Sequence, residues 1–154
     1  MSAMTPEPPA TPSAPATPPA PGTFETLLDV RWGDLDALNH VNNAVYFRYF
    51  EEARVHLYAA IGMDRVPGRV GLLAHASCDF LKPLLYPARI VVGLKLLRVG
   101  RSSLELETWI ARADEPGEAC ARGRNVLVCA DGATGRPSPW TDADRRALAR
   151  CFSV

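Results

Sequence analysis

The stretch 31-RWGDLDALNHVNNAVYFRYFEEAR-54 decides how the rest of the chain is read. Its first half packs two aspartates, one histidine and three asparagines into ten residues, 34 to 43. Its second half is aromatic. From Asn43 onward, Val45, Tyr46, Tyr49, Phe50, Ala53, Leu57 and Ile61 recur at helical steps, so one broad apolar face is predicted over 43–61. Asn42 is a suitable N-cap, because its side-chain oxygen can accept from an orphan amide, and Gly62 is a suitable stop. A polar cluster thus abuts the start of a half-buried helix.

Outward from this stretch, the chain alternates. Residues 24-FETLLDVRW-32 place Phe24, Thr26, Leu28, Val30 and Trp32 on one side, the period of a half-buried strand. After the turn-rich Pro67, Gly68 and Gly71, strands are predicted at 72–81, 88–98, 103–113 and 119–130. The breaks between them are Pro87, 99-VGRS-102 and Pro116–Gly117, which suggest consecutive antiparallel hairpins. At 141-TDAD-144, Thr141 and Asp144 form a capping-box pattern that opens a short helix anchored by Leu148 and prone to fray. One antiparallel sheet around one long helix is an α+β architecture. Such a sheet leaves a face or an edge bare, which association into a dimer or tetramer would cover.

Residues 1–23 read differently. Eight of the fourteen prolines lie there, among Ala, Thr and Ser, without the apolar run that would offset ordering entropy. They are predicted to be a disordered, partly polyproline-II tail, with the domain occupying 24–154. The tail lacks the charged start and apolar core of a secretory signal, and its removal up to residue 22 is expected to leave stability unchanged.

Charge excludes some classes. Lys and Arg number 17 against 17 Asp and Glu, which speaks against a basic nucleic-acid-binding face. No apolar stretch has the length of a membrane span. Cys78, Cys120, Cys129 and Cys151 have no CxxC spacing, so no zinc or other metal is expected. Three of them fall in strand segments and fit a reduced, cytoplasmic setting as small apolar filler.

In its residues and their order, DLDALNHVNNAVYFRYFEEAR resembles the hotdog-fold thioesterases, and within them the 4-hydroxybenzoyl-CoA thioesterase-like group of bacterial acyl-CoA thioesterases. The matching positions are Asp34, Asp36, the run from His40 to Asn43, Tyr46, Glu52 and Arg54. The resemblance spans roughly residues 24–152 and implies a five-stranded antiparallel sheet wrapped around the long helix. It implies hydrolysis of acyl-CoA to a free acid and CoA, without a cofactor. It places the catalytic carboxylate at Asp36 and the amide that polarises the thioester carbonyl at Asn43. Both roles make physical sense, since a helix N-terminus offers unpaired amides to an oxyanion and a nearby carboxylate can attack or activate water.

The residues alone leave alternatives. Asp36 is equally an Asx-turn residue, and Asp34 reads as structural. His40 is read as loop-shaping or substrate-proximal rather than as the base. Tyr46, Phe47, Tyr49 and Phe50 are core residues first, of which Tyr46 is a candidate substrate contact. Glu52 and Arg54 read as a polar pair or as solvated groups. Arg98, Arg101, Ser102 and Ser103 form a turn that could meet CoA phosphates, or an ordinary solvated hairpin; Arg122 and Arg124 could contribute. Competing functions are an acyl carrier protein thioesterase and a non-catalytic acyl-CoA-binding protein.

Overall fold

In the computed structural model, residues 21–153 are described. Of the predicted tail, residues 1–20 lie outside them. Five strands follow: β1 (Thr23–Asp29), β2 (Arg69–Phe80), β3 (Arg89–Val99), β4 (Ser103–Arg112) and β5 (Ala119–Asp131). The helices are α1 (Asn43–Ala60) and α2 (Asp142–Phe152). The sheet is antiparallel throughout, in the order β1-β3-β4-β5-β2.

This order corrects the expectation of consecutive hairpins. The turns at 99–102 and around Pro116–Gly117 do join paired neighbours, β3–β4 and β4–β5. The chain leaving β2, however, crosses to the other side of the sheet, and β2 pairs with β5 instead of β3. Local turn chemistry marks where a strand ends, not which partner it finds. Strand β2 also starts three residues before the predicted Leu72.

Alternation explains the core. Ile90, Val92 and Leu94 of β3, Leu104, Leu106 and Ile110 of β4, and Leu127 of β5 are fully buried. They meet Tyr46, Tyr49, Phe50, Ala53 and Leu57, the buried residues that recur along α1. Deleting one such leucine side chain costs about 2–5 kcal/mol, so this helix–sheet seam is the main source of stability. Asn42 caps α1 by accepting from the Ala44 amide at 2.9 Å, and Gly62 ends it with a left-handed φ of 74°.

One expectation needs correction. Arg54 is neither solvated nor paired with Glu52: it is buried, and its Nη1 donates to Asn125 Oδ1 of β5 at 2.7 Å. Burial pulls its guanidinium below the usual arginine value. The expected fraying of α2 also meets a counterforce. Phe152, in its last turn, is fully buried against Phe24, and the Gly22 amide donates to the Phe152 carbonyl at 2.7 Å. The strand therefore begins at Thr23, and a cut after residue 22 removes a backbone bond from the folded unit.

Candidate active site

The polar cluster folds into a tight loop because its residue types permit it. Leu35 and Val41 form an isolated antiparallel bridge, and between them the Asp36 amide donates to the His40 carbonyl at 2.8 Å. The reversal needs a left-handed residue, and Asn39 supplies it at φ 59°, a conformation asparagine tolerates better than most residues. Asp36 Oδ1 accepts from the Leu38 amide at 2.8 Å, with the His40 amide farther off at 3.4 Å. This is the Asx turn, and it leaves Oδ2 with no hydrogen bond from the described residues.

The loop delivers the chain into α1. Val41 is buried, and its amide donates to the Leu84 carbonyl at 2.9 Å, which fixes the loop against the segment between β2 and β3. Asn43 is the first helical residue, and among the described residues its amide has no acceptor. It is one of the orphan donors at the positive end of the helix dipole.

A hollow of about 160 Å³ opens at this helix end, lined by His40, Val41, Asn43 and Tyr46 together with Phe80, Leu81, Lys82 and Pro83. Tyr46 is buried, and its ring meets Phe80 edge-on at 5.1 Å. Burial pushes the Tyr46 phenol up, so it stays a neutral hydroxyl. Lys82 was missed in the sequence. Its Nζ donates to Glu118 at 2.7 Å and to Glu115 at 3.0 Å, two glutamates from the β4–β5 connection. No motif pointed to it, because the contact depends on where β2 ends.

Asp34 has a different task from Asp36. Its Oδ2 accepts from the Tyr49 hydroxyl at 2.7 Å and from the Arg31 amide at 2.8 Å. Its own carbonyl accepts from the Asn42 amide at 2.9 Å. Tyr49 is buried on α1, and burial with the adjacent carboxylate drives its phenol far above the ordinary value.

The structure brings Asp36, His40, Asn43 and Tyr46 into one region but not Arg98, Arg101, Ser102 and Ser103. Phe80 pairs with Ala121 beside the hollow, whereas Ser103 pairs with Val128, seven residues along β5. At roughly 3.3 Å per residue, the β3–β4 turn lies ~23 Å away within one chain. Several of the outer arginines are also neutralised: Arg98 and Arg124 both pair with Glu105, and Arg122 pairs with Glu107. Among the described residues no cluster of three or more His, Cys, Asp or Glu could hold a metal.

A long helix cradled by a five-stranded antiparallel sheet, with a loop of small polar residues at the helix N-terminus, defines the hotdog class of thioesterase folds. The chain belongs to the thioesterase-like superfamily, whose family model matches residues 30–148. Among solved structures it is similar to the PA2801 protein of Pseudomonas aeruginosa, provisionally termed a thioesterase, at 36% identity and TM-score 0.77, covering 82% of this chain and 98% of that one. It is also similar to a thioesterase from Thermus thermophilus complexed with coenzyme A and Zn, at 35% identity and TM-score 0.71, covering 85% of this chain and 95% of that one. The uncharacterised YsmA of Bacillus subtilis strain 168 is 29% identical over 82% of this chain and 85% of its own length.

Proposed function

We propose that the protein hydrolyses acyl-CoA thioesters, so that acyl-CoA and water give a free carboxylic acid and CoA. One observation carries the reading: among the described residues the Asn43 amide has no acceptor at the start of α1, seven residues after a carboxylate whose Oδ2, at Asp36, has no hydrogen bond from them. The CoA bound to the Thermus thermophilus relative supports the substrate class.

The chemistry follows from these two groups. The amide donates to the thioester oxygen as negative charge develops there, and the helix dipole adds to that stabilisation. Asp36 Oδ2 has two routes. As nucleophile it bonds to the carbonyl carbon, the C–S bond breaks, the thiolate leaves as CoA, and water then cleaves the acyl-aspartyl anhydride. As general base it takes a proton from water, whose oxygen forms the new C–O bond; the C–S bond then breaks and CoA leaves as the thiolate, to which the proton can pass. Thiolates leave readily, so neither route needs a serine or a metal. His40, Tyr46 and Lys82 line the hollow in which the acyl or pantetheine end would lie.

A second copy of the chain is part of this proposal. Strand β2 has β5 on one side and, among the described residues, no strand on the other. It exposes Val70, Leu72, Leu73 and Phe80, an apolar edge suited to pairing with its own equivalent. A partner would also offer its own Arg98–Ser103 turn to the nucleotide end of a bound CoA, which one chain alone holds too far away.

Thiol release from a panel of acyl-CoAs, acetyl to palmitoyl and benzoyl types, tests the reading with wild type and Asp36→Asn side by side. Turnover by wild type with a loss of at least about a hundredfold in Asp36→Asn is expected, the size of a lost base or nucleophile. Equal rates in the two proteins would remove Asp36 from the reaction. No turnover of any CoA ester would shift the reading to an acyl carrier protein substrate or to binding alone.

A further inference from the structure

We propose that Asp34 and Tyr49 are positioning residues: together they hold the α1 N-terminus in register with Asp36, and Asp34 acts there as a hydrogen-bond acceptor rather than as a reacting charge. The inference rests on the thioesterase reading of the site above.

Asp34 stands at a junction of three segments. Its Oδ2 accepts from the Arg31 amide at 2.8 Å and so closes the short turn that leaves β1. The same oxygen accepts from the Tyr49 hydroxyl at 2.7 Å, which comes from the second turn of α1. Its carbonyl accepts at 2.9 Å from the amide of Asn42, the residue that caps α1. One residue therefore touches the strand exit, the helix cap and the helix body. Asn43, whose amide has no acceptor among the described residues, follows Asn42 directly, and Asp36 lies two residues beyond Asp34. Any shift at Asp34 changes the separation between the amide and the carboxylate that the reaction would require.

Tyr49 suits this task. The residue is 5% exposed, and among the described residues its hydroxyl has the Asp34 carboxylate as its partner. Removing that hydroxyl strands part of a carboxylate's hydrogen bonding without opening a large cavity. Both of Asp34's side-chain bonds go to a single oxygen, which an asparagine carbonyl oxygen could replace. The clamp therefore needs an acceptor at that point and not a negative charge.

The test compares Tyr49→Phe, Asp34→Ala and Asp34→Asn with Asp36→Asn, reading kcat and KM separately on the best acyl-CoA of the panel. Tyr49→Phe is expected to lower kcat about tenfold and Asp34→Ala roughly a hundredfold, as one or two hydrogen bonds are lost, with KM within about twofold. Asp34→Asn is expected to recover most of the loss seen in Asp34→Ala. If Asp34→Asn falls as far as Asp36→Asn, the Asp34 charge itself reacts, and the positioning role is overturned. Wild-type kcat in Tyr49→Phe would overturn it as well. A second readout does not depend on turnover. By NMR, exchange of the Asn42 amide is expected to rise about tenfold in Tyr49→Phe relative to the amides of β4. An inactive wild type would therefore refute the thioesterase reading alone, whereas unchanged Asn42 exchange would refute the clamp.

Discussion

Asp34 and Asp36 are the same residue type one position apart from a shared neighbour, Leu35, yet they meet different donors. A side-chain hydroxyl and the Arg31 amide occupy Oδ2 of Asp34. The Leu38 amide takes Oδ1 of Asp36, and its other oxygen has no hydrogen bond from the described residues. The two sequence readings of Asp36, Asx turn and reactive group, therefore do not compete, because they use different oxygens. That is why residue type and spacing could not choose between them. The turn also depends on Asn39, whose φ of 59° is costly for a β-branched side chain. Asn39→Val is expected to lose about 1–2 kcal/mol and to lower kcat, whereas Asn39→Gly stays close to wild type in stability. Thermal melts of the two variants beside thiol-release rates check this. A Val variant as stable and active as the Gly variant would show that the loop does not need the left-handed residue.

At the scale of elements, what was legible was local. The α1 cap at Asn42, its end at Gly62 and the Thr141–Asp144 capping box each involve residues within a few positions of one another, and each is present. Less legible was whatever depends on a distant partner. The neighbour of β2 and the burial of Arg54 against Asn125 are set by packing between segments far apart in the chain. Asp144 belongs to both groups. It closes the box by accepting from the Thr141 amide at 2.7 Å, and it also receives Arg69 of β2 at 2.7 Å, a bond that ties α2 to the sheet edge. Burial pushes its carboxyl up, but Arg69 and the Thr141 amide and hydroxyl outweigh that and hold it below the usual aspartate value. A depressed pKa stabilises the fold above the ordinary value, near about 3.9, and that stability is lost as pH falls through the folded value. Asp144→Ala is thus expected to cost about 2 kcal/mol at neutral pH. The gap from wild type should narrow once pH drops below about 4. Chemical denaturation at several pH values tests it, and a gap that is constant with pH would mean that the Asp144 charge contributes nothing.

For the whole molecule, one sheet and one helix satisfy the inner face and leave an edge. Strand β2 is 12 residues long and sits at the end of the sheet, with Leu72 43% and Leu73 45% exposed. Natural edge strands are usually short, charged or covered; this one is long, its charges stand near its two ends at Arg69 and Asp79, and among the described residues no strand pairs with its outer side. That a single sheet must bare a face or an edge was legible in the sequence. Which strand would be bare was not, since that depended on the crossover. The sequence could not say how far the 98–103 turn lies from the hollow; the β2–β5 and β4–β5 registers put them at opposite ends of β5. Pairing of β2 with its counterpart in a second chain would bury the apolar edge and bring a partner's loops towards each site. Replacing Leu72 and Leu73 with lysine places like charges opposite one another across that two-fold edge. The double variant is expected to fall from a multiple of the chain mass to the chain mass in light scattering, with the weaker repulsion at high salt partly restoring the assembly. Retention of the wild-type mass by the folded variant would place the contact between chains somewhere other than β2.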